Sequence, residues 1–138
     1  MKIAVSACLL GENCKYNGGN NYCPTVIQFI KGHQVIPVCP EVLAGLGVPR
    51  TPIEIVRGIV KTKDGVCVDA ALRQAVAQIL EQLKNEGVDC AILKSRSPTC
   101  GVRQVYDGTF SGKLRDGSGI LAQALLDAGY QVLDSEEV

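Results

Sequence analysis

The sequence predicts a three-layer α/β domain built on a mainly parallel sheet of about four or five strands. Near-continuous apolar segments lie at 2–6 (KIAVS), 34–38 (QVIPV) and 89–93 (DCAIL), as is typical of strands covered on both faces. A helical pattern over 24–31 separates the first two segments, and another over 70–86 precedes the third. Strands that alternate with helices in this way indicate parallel pairing through helical crossovers.

The segment 70–86 carries the strongest helix signal in the chain. Its apolar residues recur at steps of three and four, with Asp69 as the predicted N-cap and Gly87 at the end. A third helix is predicted over about 120–128, followed by a short last strand at 131–133. These elements together predict a Rossmann-like or flavodoxin-like fold, in which ligands bind outside the carboxyl ends of the strands.

A small β excursion is predicted between the second strand and the long helix. The segments IEIV (53–56), GIVKT (58–62) and VCV (66–68) are β-like, and a Lys-Asp-Gly turn joins the last two. The preceding segment 42–52 is punctuated by Pro and Gly and is predicted to be largely irregular.

Size and composition predict one soluble domain that spans residues 1–138. Hydrophobic residues make up 46% of the chain and charged residues 20%. Lys plus Arg and Asp plus Glu both total 14, and this balance argues against a nucleic-acid partner or an anionic membrane surface. No stretch approaches the roughly 20 apolar residues that span a bilayer.

The N-terminus superficially resembles a signal peptide, but its pattern favours a first strand. The apolar run in MKIAVSACLLG is short, only Lys2 is charged, and the chain turns polar at Glu12. We therefore expect a cytoplasmic protein.

Seven cysteines are many for a cytoplasmic chain, and the odd number argues against a disulfide framework. Metal binding or thiol chemistry is the leading interpretation for some of them. Cys67 and Cys90 alternate with apolar neighbours and are predicted to fill the core, and Cys23 before Pro24 is predicted to be structural. Cys14 stays open as a fourth ligand, a reactive thiol or a bystander.

Three of the cysteines follow the three predicted strands. Cys8 comes just after the first strand, Cys39 directly after the second, and Cys100 in the loop after the third. Because the carboxyl ends of parallel strands share one edge of the sheet, we expect these thiols to share a pocket. Three thiolates there repel one another unless a cation or cluster neutralises them, and this repulsion predicts a metal site.

The kind of metal is not fixed by the spacing of the cysteines. Zinc takes four ligands in a structural site, and the sequence contains no CxxC pair. An iron–sulfur cluster also prefers thiolates, although no ferredoxin-like run of cysteines is present.

The motifs around these cysteines resemble the thiouracil desulfidase family of small bacterial proteins. The resemblance rests on four segments that lie in the family's order and together touch most of the chain: SACLLGENCKYNGG (6–19), PVCPEVLAGLGVPRTPIEI (37–55), AILKSRSPTCG (91–101) and YDGTFSGKLRDGSG (106–119). It implies an oxygen-sensitive [4Fe–4S] cluster with one open iron, held by Cys8, Cys39 and Cys100.

The resemblance also implies an activity and two catalytic residues. The open iron would take the sulfur of a thiolated pyrimidine such as thiouracil, and hydrolysis would replace C=S by C=O and release sulfide without net redox. Glu41 of Cys-Pro-Glu would activate water or carry a proton, and Ser97 of Ser-Pro-Thr-Cys-Gly would bind substrate or relay the proton.

Simpler interpretations of the same polar residues remain open. Glu41 and Ser97 could serve only as turn residues, and Lys94 and Arg96 only as solvated loop cations. The two charged side chains of PRTPIEI, Arg50 and Glu54, could line the site or form a mutual surface salt bridge. His33 is predicted to lie on the opposite rim.

Two other classes of function compete with a desulfidase. One is a non-enzymatic iron–sulfur or metal carrier, or a sulfur-relay partner. The other is a metal-free thiol enzyme with Cys100 or Cys14 as its nucleophile.

Overall fold

The structure is a computed structural model that describes residues 1–138. In chain order its strands and helices are β1 (Lys2–Ser6), α1 (Pro24–Ile30), β2 (Gln34–Val38), α2 (Pro40–Leu43), β3 (Ile53–Val56), β4 (Ile59–Thr62), α3 (Asp69–Glu86), β5 (Cys90–Leu93), β6 (Gln104–Tyr106), β7 (Leu114–Asp116), α4 (Ile120–Asp127) and β8 (Gln131–Asp134). Short 3₁₀ turns follow β1 at Ala7–Leu10 and β8 at Ser135–Glu137.

The central sheet has four strands in the order β2-β1-β5-β8, and every neighbouring pair is parallel. This confirms the predicted α/β class and a strand count at the lower end of the expected range. The segment 2–6, which could be mistaken for part of a signal peptide, is the inner strand β1. After β1 the chain adds β2 on one side of it, and it later adds β5 on the other side. The direction in which strands are added therefore reverses at the β1–β5 pair.

Alternating side chains of the two inner strands build a core on each face of the sheet. Ile3, Val5 and Ile92 pack with Val26 of α1 in the smaller core. The opposite face, which includes Ala4, carries the larger core with α3 and α4. Both faces are thus covered, as the apolar strands predict, and the strand ends remain available for a site.

The long helix α3 agrees with its apolar pattern but not with the predicted cap. Its buried positions include Leu72, Val76 and Ile79, and the helix ends at Gly87. Asp69 is already its first residue, and the N-cap position is occupied by Val68, which makes no side-chain capping bond. Instead the Asp69 carboxylate accepts hydrogen bonds from the Val60 backbone N–H at 3.0 Å and from Arg73 at 2.8 Å. It therefore links α3 to the neighbouring hairpin.

Two antiparallel hairpins, β3–β4 and β6–β7, lie outside the central sheet. The first lies in the predicted excursion, but the segment VCV (66–68) forms only an isolated bridge from Cys67 to Lys61 and not a strand. The second spans 104–116, and its turn and last strand lie in the Gly/Asp-rich segment of the last family motif. The pattern indicated no strands here, because the two three-residue strands are too short to show a clear alternation. The segment 42–52 is largely irregular as expected, and the single helical turn α2 extends into its first two residues.

None of the helices combines the length and the apolar character needed to cross a membrane.

Candidate functional site

A cavity of about 500 Å³ lies at the carboxyl ends of β1, β2 and β5. Four of the seven cysteines line it: Cys8, Cys14, Cys39 and Cys100. It is therefore located at the reversal of strand order, the position at which open α/β sheets bind their ligands. The structure brings together the three thiols that the strand ends predicted and adds Cys14, whose place was left open.

Cys8 lies in the 3₁₀ turn directly after β1. The Cys8 carbonyl accepts hydrogen bonds from the backbone N–H of Gly11 at 3.3 Å and of Asn21 at 3.0 Å, and the Asn21 side chain interacts with the thiol. Cys39 occupies the single position between β2 and α2. Both thiols are thus carried on short connections that the sheet holds in place.

The loop that carries Cys100 is fixed by the start of α4. The backbone N–H groups of Gly119, Ile120 and Leu121 donate to carbonyl groups of this loop at 2.7–3.1 Å. A side-chain cap on α4 is absent, so these loop carbonyls satisfy the free N–H groups of its first turn. A Cβ atom on Gly101 would lie 2.6 Å from the Gln104 carbonyl, and this explains why glycine follows the cysteine.

The Glu41 carboxylate reaches three of the other groups at the site. It lies 3.8 Å from the Cys39 thiol and accepts a hydrogen bond from the Thr99 hydroxyl at 3.2 Å. The Arg50 guanidinium lies 3.9 Å from the same carboxylate. None of these contacts is a helix-capping bond, so the interpretation of Glu41 as only a turn cap does not account for them.

Ser97 has both a structural contact and a link to Glu41. Its hydroxyl oxygen accepts hydrogen bonds from the backbone N–H of Thr99 at 3.2 Å and of Cys100 at 3.1 Å, as in an ordinary turn. The same oxygen lies 3.0 Å from the Thr99 hydroxyl. Because the Thr99 hydroxyl donates to the carboxylate, the Ser97 hydroxyl is the donor in this second bond. A chain of hydroxyl groups therefore runs from Ser97 through Thr99 to Glu41.

Thr99 was not singled out from the sequence. It is fully buried beside Cys100, with its hydroxyl 3.7 Å from the thiol. The sequence signal that could have identified Thr99 was its position between Ser97 and Cys100, because residues two apart in a tight turn can share hydrogen bonds.

The thiols of the cavity are held in the protonated form when no cation is present. Burial, together with the Glu41 carboxylate, raises the pKa of Cys100 to about 12. Burial and the neighbouring Cys39 and Cys8 raise the pKa of Cys14 to about 12 as well. The pKa values of Cys8 and Cys39 are raised mainly by burial. These thiols become thiolates only when a metal cation binds them and displaces their protons.

Four other charged side chains of the predicted site lie close to the cavity. Arg50 and Glu54 both line it, but they do not pair at the surface, so that interpretation was wrong. Arg50 faces Glu41, and the buried Glu54 accepts hydrogen bonds from Gly108 and Phe110.

The two loop cations differ in their surroundings. Lys94 lines the cavity, where burial and the neighbouring Arg96 lower its pKa, and its ammonium donates to Ser95 at 3.0 Å. Arg96 lines the cavity as well, but its guanidinium forms an ion pair with Glu136 in the C-terminal 3₁₀ turn. Neither residue is therefore only a solvated loop cation.

The remaining cysteines and His33 lie away from the cavity. Cys90 is buried in β5 as predicted, and the Cys23 thiol lies 3.2 Å from the Thr25 hydroxyl. The prediction for Cys67 was wrong, because it is exposed on a short segment that only bridges to Lys61 at the hairpin edge. His33 directly precedes β2, on the opposite rim as expected.

No group of three or more His, Cys, Asp or Glu side chains lies close enough together to hold a metal ion. The ligation of a cluster by Cys8, Cys39 and Cys100 therefore stays a prediction.

The fold and this cavity define a class of small α/β proteins with a thiol-lined site at the strand ends. The family model for 2-thiouracil desulfurase matches residues 3–137. The chain belongs to this family.

Two individual proteins resemble the chain over nearly its whole length. The uncharacterized protein YbbK of Bacillus subtilis (strain 168) is 35% identical, and the match covers 99% of this chain and 97% of YbbK. The solved structure of the [4Fe-4S]-dependent thiouracil desulfidase TudS superposes with a TM-score of 0.93 at 33% identity. That match covers 99% of this chain and 92% of the TudS chain, and it supports the fold assignment independently of the sheet analysis.

Proposed function

We propose that this protein removes sulfur from a thiolated pyrimidine such as 2-thiouracil. In the proposed reaction one water molecule is consumed, C=S becomes C=O, and hydrogen sulfide leaves without net oxidation or reduction. The observation that carries the proposal is that three thiols, each following a different strand, line one cavity. The chain that holds them belongs to the 2-thiouracil desulfurase family. The [4Fe-4S]-dependent thiouracil desulfidase TudS, with nearly the same fold, supports the same activity.

In this proposal Cys8, Cys39 and Cys100 hold a [4Fe–4S] cluster, and one iron has no protein ligand. The donor set fits such a group, because buried thiols that are protonated on their own become thiolates when iron replaces their protons. When bound, the cluster would supply a Lewis-acidic iron for the sulfur of the thiocarbonyl group.

Glu41 is the proposed general base. Its carboxylate lies at the cavity wall beside Cys39, within reach of a water molecule that approaches a ring held there. It would take the proton of that water as the new C–O bond forms. The hydroxyl chain of Thr99 and Ser97 holds the carboxylate and offers a path by which this proton can reach the leaving sulfur.

These contacts favour an enzyme over a cluster carrier. A carrier needs ligands and an accessible cluster but has no use for a carboxylate that is linked to two hydroxyl groups beside them. A metal-free thiol enzyme is disfavoured because Cys14 and Cys100 both have a pKa of about 12, and a nucleophilic thiol needs a lowered value. Seven free thiols suit a reducing compartment, so we also propose a cytoplasmic location.

Anaerobic reconstitution with iron and sulfide tests the proposal. The holoprotein is expected to convert 2-thiouracil to uracil and to release one sulfide per uracil formed. The Cys39→Ser variant is the matched control, since it removes one proposed ligand and leaves Glu41 in place. Wild-type protein with a full cluster that releases no sulfide would refute the activity and favour a carrier.

A further inference from the structure

Aromatic side chains are concentrated around the cavity. The chain has only four Tyr and two Phe residues, and three of these six, Tyr16, Tyr106 and Phe110, line the site. Aromatic faces bind flat heterocyclic rings by stacking, and this contact is tolerant of the ring's substituents. The composition of the wall therefore points to a ring-binding role for at least one of the three.

Phe110 is the aromatic residue of the cavity wall with an unusual backbone conformation. It is half-buried and, like Tyr16 and Tyr106, it belongs to neither of the two hydrophobic cores. Its backbone adopts φ = 55°, in the left-handed region that a residue with a bulky side chain seldom occupies. A phenylalanine in an unfavourable backbone conformation, with no place in a core, indicates a purpose other than packing.

The conformation of Phe110 is imposed by Glu54 of the neighbouring hairpin. The Glu54 side chain is buried, with 8% exposure, and one of its carboxylate oxygens accepts two backbone hydrogen bonds. The donors are the N–H groups of Gly108 at 2.9 Å and of Phe110 at 3.2 Å. A single carboxylate on a rigid strand thus fixes both ends of the turn that carries the ring.

Gly108 allows this loop to approach the strand closely. A Cβ atom at this position would lie 2.6 Å from the Ile55 carbonyl, next to Glu54 in β3. The loop is therefore docked onto β3 by close backbone contact as well as by the carboxylate. Arg50, the nearest candidate partner for Glu54 in the sequence motif, is directed to Glu41 instead.

We propose that Phe110 stacks on the pyrimidine ring of the substrate and that Glu54 is the positioning residue that holds it there. This inference rests on the proposed function, and it assigns the selection of flat heterocycles to the loop between β6 and β7. The cluster and Glu41 act on the thiocarbonyl group, whereas Phe110 acts on the plane of the ring. Ring binding and bond cleavage are thereby carried by different parts of the cavity wall.

The effect of Phe110 is tested with Phe110→Leu, Phe110→Tyr and the matched control Phe29→Leu. Phe29 is the other phenylalanine of the chain and is 45% exposed on α1, away from the cavity. All variants are studied as anaerobic holoproteins with measured iron content. Phe110→Leu is expected to raise KM for 2-thiouracil and to weaken equilibrium binding of uracil, each by roughly 5- to 100-fold, with little change in kcat per cluster. Phe110→Tyr keeps the ring and should match wild type, as should Phe29→Leu.

The positioning role of Glu54 is tested by the same two measurements. Glu54→Ala is expected to raise KM and weaken uracil binding to the same extent as Phe110→Leu, at unchanged iron content. The double variant should show no further loss, because both changes remove one contact. Glu54→Gln retains an oxygen that can accept both N–H groups, and it should restore binding. If Glu54 had a purely structural role, the losses of uracil affinity from the two single changes would add in the double variant, and the ratio of KM to kcat would not change.

Uracil binding separates this inference from the proposed activity. Wild-type protein that binds uracil but releases no sulfide would refute the desulfidase proposal, and Phe110→Leu would still decide the stacking. Uracil affinity and KM within twofold of wild type in Phe110→Leu would overturn the inference. Absence of uracil binding in wild type would overturn it as well.

Discussion

The guanidinium of Arg50 lies 3.9 Å from the Glu41 carboxylate, and the two side chains are only 9% and 13% exposed. Arg50 also donates hydrogen bonds to the carbonyl groups of Cys14 at 2.9 Å and of Gly47 at 3.0 Å. One cation therefore ties the proposed general base to the loop between the first strand and α1. The Arg50 guanidinium and the Thr99 hydroxyl thus both hold the Glu41 carboxylate at the cavity wall.

Iron binding should require Cys8, Cys39 and Cys100. Each Cys→Ser change leaves two of the three proposed ligands and should abolish most of the anaerobically reconstituted iron and sulfide. Cys67→Ser is the cleanest control, because Cys67 is exposed and distant from the cavity. Full cluster content in Cys39→Ser would contradict the proposed ligand set.

Cys14 decides whether one iron is free of protein ligands. Its thiol interacts directly with that of Cys39, yet the proposal needs only three ligands. Cys14→Ala should therefore keep the full iron content and the activity. Loss of about one quarter of the iron, or a rise in activity as an iron is freed, would instead make Cys14 a fourth ligand.

The sheet and its three thiols could be predicted because short-range patterns determine them. Continuous apolar runs define β1, β2 and β5, and a cysteine in the connection after each run is expected near their common edge. The same logic failed for Cys67, since an alternation of apolar residues does not show whether a second layer covers the segment. Burial of such a segment depends on contacts with elements far away in the chain.

The polar contacts of the site were not accessible from the sequence for a related reason. Thr99 meets Glu41 across 58 positions, and Glu54 meets Phe110 across 56. Single residues of ordinary polar type carry no pattern that specifies a partner at such distances. The motif PRTPIEI marked Arg50 and Glu54 as candidates, but only the fold shows that they serve different loops.

Acid should weaken the fold partly through Asp69. Burial opposes ionisation of this carboxyl, but the Arg73 guanidinium and the Val60 N–H outweigh it and lower its pKa. A lowered pKa in the folded state means that the stabilisation is complete above the unfolded value of about 4 and is lost as pH falls through the folded value. Asp69→Asn should cost about 1 kcal/mol at neutral pH and less at low pH. Urea unfolding of reduced, cluster-free protein between pH 7 and 3, with the exposed Asp64→Asn as control, measures the difference.

Glu41→Gln should separate cluster binding from chemistry. The amide cannot take a proton from water, so turnover per cluster should fall by roughly 10²–10⁴-fold, the usual contribution of positioned proton transfer. Iron content should be unchanged, because Glu41 is not among the proposed ligands. Near wild-type turnover at full iron content would remove Glu41 from the mechanism.

Thr99 offers the sharpest test of the hydroxyl chain, because Ser97→Ala would also remove the two backbone contacts that shape the Cys100 loop. Thr99→Val keeps the volume of this fully buried side chain but breaks both hydroxyl links. It leaves one Glu41 oxygen without its donor, a loss worth about 1–3 kcal/mol for a buried group. We expect turnover per cluster to fall roughly tenfold or more. Thr99→Ser restores the hydroxyl at the cost of one methyl group and should recover most of the rate. If Thr99→Val and Thr99→Ser are equally slow at equal iron content, the methyl group and its packing matter, and the proton does not travel through this chain.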